Sequence, residues 1–350
     1  MFKQAKPLFL IVETPLHAGS GSDLGIVDLP IQREKHTDYP KIEASGLKGA
    51  IREVFRTQPN LDKLSNWGIN SVEDTKHTKA IDLTFGPDTP DQSNQHAGAL
   101  GFTDARLLLF PVKSVKGVFA WITCPAVLER FKHDLSICQP SVDFVENIPD
   151  VNTVPNPCKL IVNPERDDKK IVLEEYTFPV TLNDECDAVA EWIADKILPS
   201  DVSYDYWCEK MKKDIVVLRD DDFRDFVMLS TEVIARTKID SNTGTVDKKI
   251  GGLWYEEYLP TDSILYSLAL TTPLFVDEAK KKGTCFEIDD QEPEKNIKEA
   301  EKVMNFFADG LPNIIQIGGN ATVGKGIVRT HVYKQEVKSD GTGSDETQGN

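Results

Sequence analysis

This sequence has few cysteines and no long apolar run. Its 350 residues include 6 cysteines, and no two of them form a Cys-x-x-Cys pair. Scattered single cysteines argue against a zinc ribbon and against a disulfide framework, so we expect reduced thiols. No apolar run approaches the roughly 18 residues that cross a membrane, and the N-terminal PLFLIV is too short for a secretory signal. We therefore expect a cytoplasmic protein with no membrane partner.

Positive charge is also scarce. The formal net charge of -17 argues against an indiscriminate polyanion binder, because affinity for phosphate comes largely from Lys and Arg. The excess of acid is regional. Residues 1–140 carry 16 basic and 16 acidic side chains, whereas residues 141–350 carry 24 and 41. Residues 311–334 contain Lys325 and Arg329 and no carboxylate, so this segment can still offer a phosphate site.

The order of the predicted elements indicates the fold class. A strand pattern at PLFLIVET precedes a helix pattern at ASGLKGAIREVFR, two strand patterns within residues 99–123 and a helix pattern at CPAVLERFKHDL. Further strands surround a helix pattern at EKNIKEAEKVMNFFADG. This order predicts an α+β fold with a ferredoxin-like core. Such sheets commonly bind single-stranded RNA, although fold alone does not establish function.

Two polar regions interrupt this series. Residues 57–98 are rich in turn-forming residues, which indicates an insertion or a mobile loop. Residues 138–228 are acidic and irregular and are predicted to form a second insertion, with strands at 170–182 followed by a helix. The last residues, 339–350, are small, polar and acidic and are predicted to be a disordered tail. The rest of the chain, residues 1–338, is predicted to form one domain.

The loop between the first strand and the first helix is rich in polar side chains. Asp28 lies in GIVDLPIQRE, where Pro30 restricts the backbone of its neighbours. A positioned Asp can bind a divalent cation or orient a 2'-hydroxyl, and His17 can exchange protons near neutral pH. Turn capping and ion pairing are the alternatives for Asp28. The same loop contains Asp23, Gln32, Arg33, His36 and Asp38, for which loop solvation is the simpler explanation.

The segment GGNATVGKG is one position away from an ATP-binding phosphate loop. Gly319, Gly324 and Lys325 match G-x-x-x-x-G-K, but Gly326 stands where a Ser or Thr would hold magnesium. The following IVRTHVY is a strand pattern, whereas that motif opens a helix. We therefore predict a glycine-rich turn between strands. Its N–H groups can face phosphates, assisted by Lys325 and Arg329, or it can be a tight structural turn.

Basic side chains also occur on the first helix and on a turn between two strands. Ser45, Lys48 and Arg52 lie at i, i+3 and i+7 of the first helix, so they share nearly one face along which a phosphate backbone can lie. Lys113 and Lys116 form a short basic turn. For both sets a solvated basic surface is the alternative.

A projecting β-hairpin is predicted where TEVIARTKID and GGLWYEEYLP flank the turn-prone SNTGTVDKKI. On it, Arg236 and Lys238 can pair with phosphate and Trp254 can wedge between bases, although core packing also explains a Trp. Glu256 and Glu257 can supply a second acidic group to an active site, with surface solvation as the simpler explanation for each.

Together, the segments TPLHAGSGSDLGIVDLPIQRE, SGLKGAIR, GFTDARLLLFPVKSVKGVFAWITCP, RTKID with LWYEEYLP, and GGNATVGKGIVR resemble the RAMP superfamily of CRISPR proteins. Within it, the chain is similar to the backbone subunits, the fourth in order, of type III-B (Cmr) effector complexes. Matching blocks run from about residue 7 to residue 333 and are interrupted only in the acidic insertions.

The resemblance implies a ferredoxin-like or RRM-like palm, a protruding hairpin thumb at about residues 236–260, and several copies stacked along a guide CRISPR RNA beside other subunits. Single-stranded target RNA would be cleaved at regular intervals by the loop Asp, which is Asp28 here, in a reaction that depends on a divalent metal ion such as Mg2+ or Mn2+. His17 would assist, and Glu256 with Tyr258 is a weaker candidate. Because acidic side chains would repel phosphate, we expect the acidic segment 138–228 on the outer face or against a partner.

The candidate RNA-binding residues are Ser45, Lys48, Arg52, Lys113, Lys116, Arg236, Lys238, Gly318, Gly319, Asn320, Gly324, Lys325, Gly326 and Arg329. Asp28 is the candidate metal ligand. Two alternatives remain. One is a non-catalytic RNA-binding scaffold of the same complex. The other is a standalone endonuclease that matures guide precursors.

Overall fold

The computed structural model describes residues 2–22, 25–88, 96–241, 243–246, 252–289 and 291–334. Within these ranges the strands are, in chain order, β1 (Gln4–Val12), β2 (Lys41–Ile42), β3 (Leu100–Phe102), β4 (Ala105–Lys113), β5 (Phe119–Thr123), β6 (Thr153–Val154), β7 (Lys170–Leu173), β8 (Tyr176–Pro179), β9 (Thr181–Leu182), β10 (Ile215–Val217), β11 (Glu232–Arg236), β12 (Trp254–Tyr258), β13 (Ile264–Thr271), β14 (Ile314–Gln316) and β15 (Ile327–Val332).

In the same ranges the helices are α1 (Ala44–Thr57), α2 (Leu61–Leu64), α3 (Thr75–Phe85), α4 (Pro125–Ile137), α5 (Asp184–Lys196), α6 (Asp205–Met211), α7 (Asp220–Leu229), α8 (Glu278–Lys281) and α9 (Lys295–Gly310). The mixed helix-and-sheet class that the sequence predicts is confirmed. Asp23 and the predicted tail, residues 339–350, lie outside the described residues.

Of the described strands, 11 join in one sheet with the order β14-β15-β1-β13-β4-β5-β10-β6-β9, while β2 pairs with β4 and β3 with β13. Strand β1 is antiparallel to both of its neighbours, β13 and β15. Its register with β13 runs from Gln4 opposite Thr271 to Ile11 opposite Ile264. The loop that follows β1 therefore starts at the centre of the sheet, beside the segments that precede β13 and β15.

Helices cover both faces of the sheet. The central residues of β1 are buried without alternation, which requires a cover on each side because neighbouring side chains point opposite ways. On one face Phe9 meets Phe131 of α4 and Trp192 of α5, with ring centroids 6.2 Å and 6.4 Å away. Helices α1 and α9 pack on the other face, where Phe55 stacks on Phe307 at 6.2 Å.

Residues 57–98 are not irregular as the sequence predicts, because the described part of this segment contains α2 and α3. The Asp74 side chain caps α3 by accepting a hydrogen bond from the Lys76 N–H at 2.8 Å. His77, Ala80 and Ile81 of α3 are buried at helical spacing. Helix α3 was not predicted because Lys and Thr residues separate these buried positions and hide the amphipathic pattern, and the insertion stays a prediction.

The acidic segment 138–228 is more regular than the sequence predicts. The expected strands within 170–182 form the hairpin of β7 and β8 together with β9, and the helix that follows them is α5. The sequence did not indicate α6, α7 or β10. Strand β10 lies in the main sheet, parallel to β5, and all three of its residues are buried. Part of the acidic segment, strand β10, is therefore an integral strand of the main sheet.

The predicted hairpin region contains an antiparallel pair of strands, β11 and β12, which form a small sheet of their own. The register runs from Glu232 opposite Tyr258 to Arg236 opposite Trp254. Residue 242 and residues 247–251, which lie between β11 and β12 in the sequence, are outside the described residues.

Two expectations from composition can be compared with the structure. All six cysteines are free, and burial raises the pKa of the Cys124 and Cys138 thiols to about 12. Both are therefore protonated and unreactive near neutral pH. Among the described residues, none of the helices is both long enough and apolar enough to pass through a bilayer.

Replacing Asp262 by Asn is expected to stabilise the protein at neutral pH. Burial and the nearby Glu13, partly offset by Lys210, raise the pKa of the Asp262 carboxyl to about 6. The folded state therefore binds more protons than the unfolded state between about pH 4 and pH 6, and stability is lost as the pH rises through this window. Asn mimics the protonated form and accepts the positive φ of 70° at this position.

We expect the Asp262→Asn variant to gain about 1–2 kcal/mol in free energy of unfolding near pH 8, after allowance for solvent screening, and nothing near pH 4. Thermal unfolding of the variant and the original protein at both pH values measures this difference. An equal gain at both pH values would show that the Asp262 carboxylate is not the cause.

Candidate functional site

The edge of strand β12 that faces away from β11 holds the Asp28 loop. The Tyr255 N–H donates a hydrogen bond to Asp28 Oδ2 at 2.7 Å. The Leu29 N–H donates to the Tyr255 carbonyl, and the Glu257 N–H donates to the Leu29 carbonyl, each at 3.0 Å. Asp28 is partly exposed, and among the described residues its Oδ1 has no recorded hydrogen-bond partner. One carboxylate oxygen is thus anchored while the other is available.

The same edge of β12 orients His17. Its Nδ1 lies 2.7 Å from the Glu257 carbonyl oxygen, and its ring lies 5.5 Å from the Tyr258 ring between centroids. A carbonyl can only accept, so Nδ1 carries the proton and Nε2 of the neutral ring is an acceptor. Because Tyr255 and Glu257 are two residues apart on one strand, the structure attaches Asp28 and His17 to the same short stretch of main chain.

Glu256 lies on the other side of this arrangement, in a closed polar network. Its Oε1 accepts from Trp254 Nε1 at 2.8 Å, and its Oε2 accepts from Arg236 Nε at 3.2 Å, from Asn320 Nδ2 at 3.0 Å and from the Tyr258 hydroxyl. Burial raises the pKa of Glu256, but these hydrogen bonds outweigh burial and hold the pKa below its usual value. A catalytic role for Glu256 stays a prediction, and the geometry favours a structural one.

Glu257, whose side chain is buried, anchors the Asp28 loop from the opposite face. It forms an ion pair with Arg33, accepts a hydrogen bond from the Ile31 N–H at 3.0 Å and accepts another from the Thr231 hydroxyl at 2.8 Å. The sequence did not single out this Arg33–Glu257 pair. The only available signal was the alternation along WYEEY, which places the two neighbouring glutamates on opposite faces of β12.

The glycine-rich loop, residues 318–326, packs on the main chain beside His17. The Gly319 N–H donates to the His17 carbonyl at 2.9 Å, and a Cβ on Gly318 would lie 2.2 Å from the same oxygen. The Gly326 N–H donates to the Pro15 carbonyl at 3.0 Å. The loop connects β14 with β15 and opens no α-helix, in agreement with the rejection of an ATP-binding motif.

The cations of this loop region have protein partners. Lys325 Nζ lies 4.9 Å from the centre of the Tyr258 ring, which is a cation–π contact. Arg329 Nε donates to Glu13 Oε1 at 2.6 Å and to the Tyr204 hydroxyl at 2.8 Å. Burial lowers the pKa of Arg329, but the hydrogen bonds and charge interactions with Glu13 and Tyr204 together outweigh burial, so the pKa lies above its usual value. Lys325 therefore lies beside β12, whereas the Arg329 guanidinium is engaged by Glu13 and Tyr204.

Two of the three side chains on the predicted basic face of α1 already contact other parts of the protein. Ser45 is exposed, whereas Lys48 Nζ donates to a main-chain carbonyl of β3 at 2.7 Å. Burial lowers the pKa of Lys48. Arg52 lies 3.8 Å from Asp82 and 3.6 Å from Asp88. Phosphate binding by Lys48 and Arg52 stays a prediction, and it requires each cation to exchange a protein partner for the phosphate.

The basic turn between β4 and β5 lies against β7, because the Val115 N–H donates to the Val172 carbonyl at 3.1 Å. Lys113 on this turn is exposed, and Lys116 Nζ donates to the Ile161 carbonyl at 2.7 Å. The described contacts do not bring this turn to β12. Lys238 is exposed beyond the end of β11. RNA binding by these lysines stays a prediction.

The residues that could hold a metal ion are few. Within the described residues no group of three or more His, Cys, Asp or Glu side chains is arranged to hold one. Glu256 and Glu257 are fully engaged by protein donors, which leaves the available oxygen of Asp28. One carboxylate fits an ion such as Mg2+ when waters and a substrate phosphate supply its other ligands, because Mg2+ is commonly bound in that way.

Comparison with known proteins places the chain in a family. Its sequence matches the RAMP superfamily over residues 9–329. The chain belongs to this superfamily. It is 37% identical over 328 residues to the Cmr endoribonuclease Cmr4 of Pyrococcus furiosus, which covers 94% of this chain and 95% of that protein. It is 25% identical over 340 residues to the CMR subunit Cmr4 of Saccharolobus solfataricus, covering 92% and 94%.

Solved structures of RAMP proteins agree with this assignment. The oligomeric Cmr4 from Pyrococcus furiosus superposes with a TM-score of 0.62 at 28% identity, covering 95% of this chain and 99% of that one. A chain of the type III-B Cmr-beta complex bound to cognate target RNA superposes with a TM-score of 0.64 at 23% identity, covering 95% and 98%. The latter supports the fold alone. The predicted resemblance to the RAMP superfamily and, within it, to the fourth subunit of Cmr systems is confirmed.

Proposed function

We propose that this RAMP protein is a guide-RNA-binding backbone subunit of a type III-B CRISPR effector complex, stacks in several copies along the guide and cleaves the bound target RNA. The observation that carries this proposal is Asp28, whose carboxylate is anchored by one oxygen on the hairpin strand β12 and available at the other. The 37% identical relative is named an endoribonuclease, and Cmr4 from the same organism has been solved in an oligomeric form. Cytoplasmic location remains a prediction.

The proposed reaction is a transesterification of RNA. The target's 2'-hydroxyl attacks the adjacent phosphorus in line, and the bond from phosphorus to the 5'-oxygen breaks. The leaving 5'-oxygen takes a proton from water, so the products carry a cyclic 2',3'-phosphate and a 5'-hydroxyl. Nε2 of His17 is the acceptor that can take the proton of the attacking hydroxyl, because Nδ1 is held in its protonated form by Glu257. Asp28 would orient that hydroxyl through its available oxygen.

A divalent ion is part of the proposal, with Asp28 as its one protein ligand. When bound, such an ion would stabilise negative charge on the phosphate oxygens. The remaining ligands would be water and RNA, since the neighbouring glutamates are engaged by the protein. This arrangement predicts weak binding of the ion in the absence of RNA.

Guide binding would rely on the surface that adjoins this site. The glycine-rich loop presents exposed main chain at Gly324, and Lys325 lies at its base. Ser45 on α1 is exposed as well. These groups would contact guide phosphates, so that sequence is read by base pairing and not by the protein. The hairpin of β11 and β12 would act as the thumb that separates short segments of the guide–target duplex.

A non-catalytic scaffold is the second candidate, and one observation favours it. The hydrogen bond from Tyr255 to Asp28 is also what a purely structural turn cap would make. The scaffold would bind guide and target identically but leave cleavage to another subunit. A standalone nuclease would instead cut without a guide.

The proposed function is tested with the complex reconstituted on a guide of known sequence. We expect fragments of the complementary target at regular spacing, with cyclic phosphate and 5'-hydroxyl ends, and cuts that move by one nucleotide when the guide is shifted by one nucleotide. Mass spectrometry of the fragments measures both. Cuts that stay at fixed target positions, or that occur in the absence of guide, would contradict the proposal.

A further inference from the structure

Asn320 of the glycine-rich loop points into the protein and not toward the loop surface. Its backbone is left-handed, with φ 64° and ψ 28°, a conformation that Asn tolerates better than most residues. Its Nδ2 donates to Glu256 Oε2 at 3.0 Å and to the Tyr258 hydroxyl at 2.8 Å. Because a carboxylate only accepts, the orientation of the amide is fixed by chemistry.

These contacts remove Asn320 from the set of phosphate-binding side chains. Both recorded hydrogen bonds of the amide nitrogen end on β12, so this donor is committed to the protein. The Asn320 carbonyl accepts from the N–H groups of Val323 and Lys325 at 3.1 Å and 3.3 Å, which folds the exposed tip of the loop around it. The side chain therefore joins the loop to the hairpin strand.

The strand that Asn320 holds is also the strand that positions the cleavage residues. One edge of β12 carries Asp28 on the Tyr255 N–H and His17 on the Glu257 carbonyl. The loop also contacts the His17 segment directly, because the Gly319 N–H donates to the His17 carbonyl. The glycine-rich loop thus grips β12 through Asn320 and the His17 segment through its main chain, so a displacement of the loop moves both.

We propose that Asn320 is a positioning residue that couples the grip on the guide to the place of cleavage. A guide phosphate on the loop would fix the loop, Asn320 would transfer that position to Glu256 and Tyr258, and β12 would set Asp28 against the target phosphate. This inference rests on the proposed function. It differs from a phosphate-binding role for Asn320. It predicts that changing Asn320 slows cleavage and makes the cut positions less precise, while the affinities for guide and target are retained.

The test uses a pair of substitutions that exchange donor and acceptor. Asn320→Asp keeps the shape and the left-handed backbone but places two carboxylates against each other. Adding Glu256→Gln restores one donor facing one acceptor and the original charge. In the reconstituted complex, we expect Asn320→Asp to lower the single-turnover cleavage rate roughly 10²-fold and to spread the cuts over neighbouring phosphates, because small misplacements have effects of this size. Guide and target affinities should change less than about threefold.

The double substitution should return the rate to within roughly tenfold of the original, a coupling that independent sites would not show. Asn320→Gly, which keeps the backbone and removes the amide, should cut slowly if Asn320→Asp fails to assemble. Unchanged cleavage by Asn320→Asp or Asn320→Gly, or no recovery in the double variant, would overturn the inference. An Asp28→Asn complex assayed alongside distinguishes failure of the Asn320 inference from failure of the proposed function. If that complex also cuts normally, the proposed function itself fails.

Discussion

Replacing Asp28 by Asn is expected to lower target cleavage by at least about 10²-fold, within the range of about 10²–10⁴ typical of a lost acid–base or orienting group. The substitution keeps an oxygen that can accept the hydrogen bond from the Tyr255 N–H, so the loop should stay in place. It removes the negative charge of the available oxygen. Guide and target affinity should stay within about threefold, because the contact with the strand is retained.

The measurement is single-turnover cleavage by the reconstituted complex, with binding of labelled target followed in parallel. Asp38→Asn is the matched control, since Asp38 lies in the same connection between β1 and α1, is exposed and has a φ of 62° that Asn accepts. It should cut at the original rate. If Asp28→Asn also cut at the original rate while regular cleavage persisted, the scaffold function would replace the proposed one.

Replacing Gly318 by Ala is expected to have the largest combined effect on stability and cleavage. Its φ of +80° costs an L-residue about 1–2 kcal/mol, and the added Cβ would lie 2.2 Å from the His17 carbonyl oxygen. Since the atom that the Cβ meets belongs to the main chain and cannot rotate away, the loop must move. We expect a loss of about 3 kcal/mol in free energy of unfolding and, because His17 shifts, a loss of cleavage of about 10²-fold.

Gly324→Ala provides the matched control for this effect. Gly324 has a similar φ of +75°, but a Cβ there meets nothing within 4 Å. It therefore carries the backbone penalty of about 1–2 kcal/mol without the collision. Urea unfolding of both variants, followed by cleavage assays on the reconstituted complexes, isolates the difference. Equal losses of stability in the two variants would show that close packing against His17 is not the reason why a glycine is needed at position 318.

The sequence predicted the main elements well because their patterns are local. The strand of PLFLIVET and the helix of ASGLKGAIREVFR follow from apolar periodicity alone, and both form within a few residues of their predicted bounds. Helix α3 and strand β10 were not predicted, each for a different reason. The first is hidden by polar residues between its buried positions, and the second is three residues long and gains its strand form from pairing with β5.

The candidate site was predicted less completely, because its geometry depends on contacts between distant parts of the chain. Asp28 and His17 could be proposed from their loop, but that β12 holds both through main-chain atoms follows only from the folded structure. Asn320 was likewise predicted to contact RNA as part of its loop, and the direction of its side-chain amide, which donates to Glu256, was not predicted. Side-chain direction in a glycine-rich loop is set by left-handed turns that spacing does not reveal.

The place of β10 in the main sheet has a consequence for anyone who shortens this chain. The acidic residues of segment 138–228 suggest an accessory that could be deleted to improve expression or charge balance. Such a deletion would strip the neighbour from β5, leaving Trp121 and Ile122 on an unpaired edge beside an emptied apolar surface. A usable truncation must therefore keep residues 213–218 and rejoin the chain around them.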